Sequence, residues 1–193
     1  MPIPVVKTFL LLALLLGAAA PFATGAAAKP LCPSKQYGES LPCRLEIISF
    51  VDVIVPSGDA ALEKRVPAMK ALIRERLKAE LPFIRHEDLD PDRARRTLRD
   101  PDQLRKRGGF DCSILTADEN GGSRVSLLVQ CLLWSYAQHP ANDAVLNIFH
   151  ARQLGMAPRK EYVKDIDEAI ARNVQKIADS FKTTRMIYSK QAD

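Results

Sequence analysis

The stretch FDCSILTADENGGSRVSLLVQCLLW, from Phe110 to Trp134, decides the fold of this chain. Two runs of apolar and β-branched residues flank Gly121-Gly122, and a glycine pair supplies the positive φ angles of a two-residue hairpin turn. Centring the turn on these glycines places Glu119 opposite Arg124, which is an attractive cross-strand charge pair. The stretch therefore predicts an antiparallel β-hairpin.

The same register predicts a disulfide between the two strands. It sets Cys112 opposite Cys131, and the neighbouring apolar residues also face one another. Directly opposed residues of an antiparallel pair have Cα atoms about 4.5 to 5.5 Å apart, which lies within the usual disulfide range. Because turn chemistry, charge pairing and cysteine pairing select one register, this is the most specific structural prediction in the sequence.

Hydrophobic periodicity predicts the remaining elements around this hairpin. They are a strand at 44–55, a helix at about 60–81 with Asp59 as its N-cap, a strand at 144–151 and a helix at about 159–181. Thr183–Tyr188 fits either a last edge strand or the end of the helix, and Gly108-Gly109 is interpreted as a turn. The order predicts one α+β domain, in which both helices cover one face of an antiparallel-rich sheet.

The first 28 residues have the pattern of a cleavable signal peptide. Lys7 supplies a positive charge, Thr8–Leu16 is an apolar run, and Ala26-Ala27-Ala28 suits a signal peptidase. The alternative is a permanent membrane anchor, but the run is well short of the ~20 residues that span a bilayer. We therefore expect a mature domain of residues 29–193, without a permanent membrane span, in the periplasm or secreted.

The cysteine count agrees with export. The chain has four cysteines, and an even number in an exported protein indicates disulfides. Besides the hairpin pair, Cys32 and Cys43 are expected to bond and to staple an irregular arm at 29–43. The rival interpretation is a metal site, but no C-x-x-C spacing is present.

Residues 85–107, RHEDLDPDRARRTLRDPDQLRKR, have eight basic and six acidic side chains and are predicted to form a charged loop that mostly faces solvent. Most such runs are solvated surfaces. The functional alternative is contact with an anionic partner, either an acidic protein or an envelope polymer. Nucleic acid is disfavoured because the segment has no stacking aromatic residues. The residues proposed for that contact are Arg93, Arg95, Arg96, Arg99, Arg105, Lys106 and Arg107.

A search for chemical motifs predicts no catalytic residue, no metal site and no cofactor. Asp88, Asp90 and Asp92 have calcium-loop spacing, but an EF-hand needs glycine at the sixth position and a carboxylate at the twelfth. Arg93 and Arg99 stand there instead. The sequence contains neither the G-x-S-x-G elbow of hydrolases nor the H-E-x-x-H motif of zinc proteases.

Asp52 is the carboxylate of most interest, because it lies inside an otherwise apolar predicted strand. A buried aspartate must be hydrogen-bonded or paired. The simpler interpretation is therefore a strand-edge or inter-helix salt bridge. A catalytic acid is the alternative, although no partner motif supports it.

These features favour an exported, non-enzymatic accessory protein that binds another envelope component. The alternatives are an inhibitor or immunity protein against an envelope-acting hydrolase, and an enzyme with an unrecognised site around Asp52 and the basic segment. The order strand, helix, three-strand meander, helix resembles small envelope accessory domains such as the N-terminal domain of the translocation protein of the Tol system. That resemblance is one of element order and involves no shared motif.

Overall fold

The structure, a computed structural model, describes residues 41–89, 100, 103–104, 106–138 and 143–190. The backbone alone is described at 41–42, 120, 136–138, 143–148 and 188–190. The predicted signal peptide at 1–28 and most of the predicted arm lie outside these ranges. No helix within them is long and apolar enough to cross a membrane.

The described elements alternate between helices and strands before a three-strand meander and a long last helix. They are α1 (Leu41–Arg44), β1 (Ile47–Ile54), α2 (Ala60–Glu80), β2 (Arg85–His86), β3 (Arg107–Glu119), a 3-10 turn (Asn120–Gly122), β4 (Arg124–Gln138), β5 (Asp143–Pro158) and α3 (Tyr162–Lys190). The strands form one sheet in the order β2-β1-β3-β4-β5. The predicted α+β fold is therefore confirmed.

The sheet is mixed, and this refines the antiparallel-rich prediction. β1 runs parallel to both β2 and β3, whereas β3, β4 and β5 pair antiparallel. The parallel pairing of β1 with β2 follows from α2, because a helix is the usual crossover between parallel neighbours.

The hairpin has the predicted register along its whole length. Glu119 lies opposite Arg124 and Cys112 lies opposite Cys131. The two cysteines form a disulfide, with Cα atoms 4.1 Å apart. Gly121 and Gly122 have φ angles of 66° and 85°, so the glycine pair supplies the left-handed turn for which it was predicted.

The core lies between the sheet and the two long helices. α2 and α3 pack side by side on one face, and every second residue of β3 and β4 points towards them. The largest fully buried side chains include Phe110, Ile114 and Leu133 from the sheet and Ile73 and Phe181 from the helices. Fully burying a side chain of this size contributes about 1.5 to 3 kcal/mol, so this layer stabilises the domain.

The start of α2 is linked to the start of α3 by polar contacts. The Asp59 carboxylate accepts a hydrogen bond from the Leu62 N–H at 3.1 Å, as predicted for an N-cap. The Tyr162 hydroxyl donates to the same carboxylate at 3.0 Å. An N-cap contributes about 1 kcal/mol, and this one also positions the two helices relative to each other.

The structure decides one open sequence interpretation and changes two others. Thr183–Tyr188 belongs to α3, so there is no last strand at these residues. The predicted charged loop at 85–107 has strands at both ends, since β2 begins at Arg85 and β3 begins at Arg107. Gly108-Gly109 lies inside β3 and is not a turn. The two glycines are needed there because Trp134 occupies the space that their side chains would fill. A Cβ at Gly109 would lie 2.3 Å from Trp134 Cζ2.

Candidate functional site

The face of the sheet opposite the helices, here called the open face, has an exposed apolar row. Leu115, Leu128 and Leu154 lie side by side on β3, β4 and β5. Leu115 is 58% exposed and Leu154 is 74% exposed, and Met156 beside them is also exposed. The exposed apolar side chains on adjacent strands therefore form one continuous surface, here called the apolar row.

The opposite end of the open face is polar. Asp52 of β1 and Asp111 of β3 are direct neighbours in the parallel register. They line a shallow cleft of about 470 Å³ together with Lys70, Arg74 and Trp134. Beside the cleft, β1 has no neighbour on its β2 side, because β2 pairs only with Ile47 and Ile48. Lys70 and Arg74 of α2 can therefore reach past the edge of β1 to the open face.

Asp52 forms an ion pair with Lys70 of α2, with 2.6 Å between Oδ1 and Nζ. Its side chain is 56% exposed. The expectation of a buried aspartate is therefore wrong. Asp52 forms a salt bridge at a strand edge, one of the two kinds that the simpler interpretation named, and its partner lies on a helix. The hydrogen bond from Lys70 holds the pKa of Asp52 below its usual value.

Asp111 has the opposite electrostatic setting. Burial raises the pKa of this carboxyl, and the nearby negative charge of Asp52 raises it further. The Trp134 indole N–H donates to Asp111 Oδ2 at 2.7 Å, which partly offsets the shift. Of the two neighbouring carboxylates, one is thus favoured as the anion and the other holds its proton more strongly.

This carboxylate pair does not form a complete catalytic site. Ser49 is the one serine that lines the cleft, and no cysteine or histidine is among its described lining residues. Ser49 is buried, and its hydroxyl already accepts a hydrogen bond from Arg107. Within the described ranges, no group of three or more acidic, histidine or cysteine side chains could hold a metal ion. Lys70 already neutralises Asp52. The geometry therefore supports a structural role, in which the ion pair holds β1 against α2, more directly than a role in proton transfer.

Asp111 was missed by the sequence analysis, although its position was visible. It alternates with Phe110 and Cys112 in the hairpin, so a carboxylate on the uncovered face could have been predicted. Its proximity to Asp52 could not, because the parallel pairing of β1 with β3 has no local signal.

Most of the arginine-rich segment lies outside the described residues. This holds for Arg93, Arg95, Arg96, Arg99 and Arg105. Lys106 is about half exposed, and its Nζ lies 3.6 Å from a carboxylate oxygen of Glu46.

Arg107 is an exception to the expectation that most of the segment faces solvent. Its side chain is 7% exposed, and Nη1 donates to Glu87 Oε2 at 2.6 Å and to Ser49 Oγ at 2.8 Å. A buried arginine with two such acceptors links β3 to β1 and to the residue after β2. Arg107 is therefore a structural residue.

The cysteines are structural as well. Cys112 and Cys131 are fully buried under α3, where Asn173 Nδ2 lies 3.8 Å from Cys131 Sγ. Cys43 is also disulfide-bonded, and its predicted partner Cys32 lies outside the described residues.

Comparison with known proteins gives only distant likenesses. No protein-family profile matches the chain, and no curated protein matches it. Similar solved structures include a single-residue variant of the PelC dodecamer from Paraburkholderia phytofirmans, with 10% identity over 72% of this chain and 89% of that one and a TM-score of 0.41. A second PelC dodecamer from the same organism has 13% identity over 69% and 86%, with a TM-score of 0.38. A putative lipoprotein from Caulobacter crescentus has 9% identity over 74% and 92%, with a TM-score of 0.25. Likenesses at this level assign neither a family nor an activity to the chain.

Proposed function

We propose that this protein is exported and acts without catalysis, by binding a protein partner in the cell envelope. The observation that carries this proposal is the apolar row of Leu115, Leu128 and Leu154 on the open face. Exposed apolar side chains scattered singly are ordinary, whereas contiguous ones mark interaction surfaces.

The chemistry of the row favours a protein over an anionic polymer. Its side chains are aliphatic, and fully burying each contributes about 1.5 to 3 kcal/mol. A polymer of charged groups would gain little from such contacts, since it is bound by cations. A partner with a complementary apolar surface would remove Leu115, Leu154 and Met156 from water together.

Export is supported by the sequence and by the disulfide. The first 28 residues have the three parts of a signal peptide. The hairpin contains the Cys112–Cys131 disulfide, and such bonds persist in oxidising compartments such as the periplasm. Cleavage after Ala28 would leave Lys29 as the mature N-terminus.

The arginine-rich segment is proposed as a second contact, for acidic groups of the same partner. It would comprise Arg93, Arg95, Arg96, Arg99, Arg105 and Lys106. Arg107 is excluded from it because its guanidinium is buried against Glu87 and Ser49.

The proposal is tested by quantitative capture of partners from envelope extract with the tagged, exported protein. Leu115→Ser combined with Leu154→Ser should abolish capture without lowering the melting temperature, because both side chains are largely exposed. Ile187→Ser is the matched control, since Ile187 is an equally exposed apolar residue at the end of α3. Capture by the double variant at the wild-type level would contradict the proposal.

The same assay tests the second contact. Replacing Arg95, Arg96, Arg99 and Arg105 with serine, with Arg107 left intact, should weaken capture. The loss should be larger at low salt, where the wild-type attraction is least screened. Capture that does not change at any salt concentration would show that these arginines are only a solvated surface.

A further inference from the structure

The last strand of the sheet, β5, has an unpaired edge. It pairs with β4 on one side and is the end of the strand order. The Arg159 N–H donates to the Ser123 carbonyl at 3.1 Å directly beyond the strand. In an antiparallel ladder, hydrogen-bonded and non-hydrogen-bonded pairs alternate. Counting back from Arg159 to Phe149, where the register is continuous, the odd-numbered residues therefore bond to β4, and the even-numbered ones point their backbone groups outwards.

The outward groups are the N–H and C=O of His150, Arg152, Leu154 and Met156. No described element pairs with them. The register with β4 is continuous from Phe149 to Pro158, which is longer than the usual strand of 5 to 6 residues. Proteins normally protect such edges with proline, bulges or a covering element. A bulge in the β4–β5 register lies just before Phe149 and Pro158 ends the strand, but among the described residues none of these devices interrupts 149–157.

A groove lies beside this edge, between β5 and α3. It has a volume of about 210 Å³, and its lining is mixed: Leu127, Val129 and Ala169 together with Gln153, Asp165, Glu168 and Arg172. Gly155 also lines it, and a Cβ at that position would meet nothing within 4 Å. A strand added to β5 would have alternate side chains on the helix side of the sheet, where this groove can take one of them.

The open-face side of the edge has a positive charge. Arg152 is exposed, and none of the ion pairs formed by described residues includes it. Antiparallel pairing of residues 149–157 with a second copy would make the two Arg152 side chains diagonal neighbours about 7 to 8 Å apart. This repulsion disfavours a second copy of the chain as the occupant.

We propose that the edge of β5 binds an extended segment of the partner protein by strand addition. The segment would have an acidic residue opposite Arg152 and an aliphatic residue in the groove at Gly155. This inference rests on the proposed function. It assumes that a protein partner binds the open face, and it adds that one segment of that partner pairs with β5.

The test uses two synthetic nine-residue peptides, one alternating valine with glutamate and one alternating valine with lysine. Amide hydrogen exchange is followed by NMR in the mature protein. The valine–glutamate peptide should slow exchange at Arg152, Leu154 and Met156 and leave the already protected Gln153 unchanged. The valine–lysine peptide should bind about fivefold more weakly, as expected from one reversed cross-strand charge pair.

Two variants separate the backbone contact from the groove. Leu154→Pro removes an outward N–H but no bond to β4, and should abolish peptide binding. Proline is tolerated at such an edge position. Leu154→Thr is its control, since it changes the side chain but keeps the N–H, and it should bind. Gly155→Val places a side chain in the groove, since a Cβ there would meet nothing within 4 Å, and should weaken binding about tenfold, the loss expected when one aliphatic side chain is excluded from its site.

Several results would overturn the proposal. Equal binding of the two peptides would remove the charge argument, and protection of other residues would place the site elsewhere. A dimer in sedimentation, with Arg152, Leu154 and Met156 already protected in the free protein, would make a second copy the occupant. Because Leu154 also belongs to the apolar row, Gly155→Val separates the two proposals: if it still captured partners and the Leu115→Ser, Leu154→Ser variant did not, this inference would fail and the proposed function would stand.

Discussion

The two ends of β3 each have a glycine pair, but for different physical reasons. At the hairpin end, Gly121 and Gly122 have φ angles of 66° and 85°, and an added Cβ would meet nothing within 4 Å. At the other end, a Cβ at Gly108 would lie 2.0 Å from the Trp134 carbonyl oxygen, and one at Gly109 would meet the Trp134 ring. The first pair is required by backbone conformation and the second by lack of space. A Gly-Gly pair can therefore indicate either a turn or a strand position over which a large side chain packs, and the pair alone does not distinguish the two.

The largest effect is expected at the crowded end. Gly109→Ala would place a methyl group 2.3 Å from Trp134 Cζ2 and 3.1 Å from Phe50 Cβ. The ring cannot move freely, because its N–H bonds to Asp111 and its face stacks on Phe50. We expect a loss of about 3 kcal/mol of unfolding free energy, the upper end for overpacking, in urea denaturation.

A double variant shows whether Trp134 is the cause. Trp134→Leu should itself destabilise the protein, but adding it to Gly109→Ala should cost less than the two separate losses combined. Strictly additive losses would mean that the glycine is needed for another reason.

A smaller effect is expected at the hairpin end. Gly121→Ala forces a side chain into the left-handed region, which costs roughly 1 to 2 kcal/mol, but it creates no clash. Gly121→Asn should be closer to wild type, because asparagine tolerates that region. If thermal unfolding showed alanine and asparagine to be equally harmful, the contrast between the two ends of β3 would not hold.

The smallest effect concerns pH at the crowded end. The pKa of Asp111 is raised in the folded protein, so the folded state binds its proton more tightly than the unfolded state does. Its stabilising contribution is therefore complete below the unfolded pKa of about 3.9 and is lost as pH rises through the higher folded value. Asp111→Asn keeps an acceptor for the Trp134 N–H and has no titration.

The measurement compares the wild type and Asp111→Asn between acid and neutral pH. The variant should gain stability relative to the wild type as pH rises. Asp52 has a lowered pKa, so its own contribution is lost as pH falls, but this is common to both proteins. A difference that stays constant with pH would show that Asp111 titrates normally.

The hairpin could be predicted in full because its information is local. Turn residues, a charge pair and two cysteines fix the register within 25 residues of sequence. The parallel pairing of β1 with β3 could not be predicted, since the partners lie about 60 residues apart and no charge or cysteine links them. The same gap explains the candidate site. Asp52 was identified, but its partner Lys70, its neighbour Asp111 and the burial of Arg107 all depend on that pairing.

The buried position of the Cys112–Cys131 bond implies an order of events during biogenesis. Once α3 has docked, Asn173 and the rest of the helix cover both sulfurs, and no thiol reagent can reach them. An oxidoreductase must therefore act on the hairpin while its helix side is still bare. In the folded protein the same burial protects the bond from reduction, because a reductant reaches the sulfurs only when α3 separates from the sheet. At high reductant concentration, where reduction of the open state is faster than reclosing, the lifetime of the bond is then set by the opening rate of α3 and no longer depends on the reductant concentration.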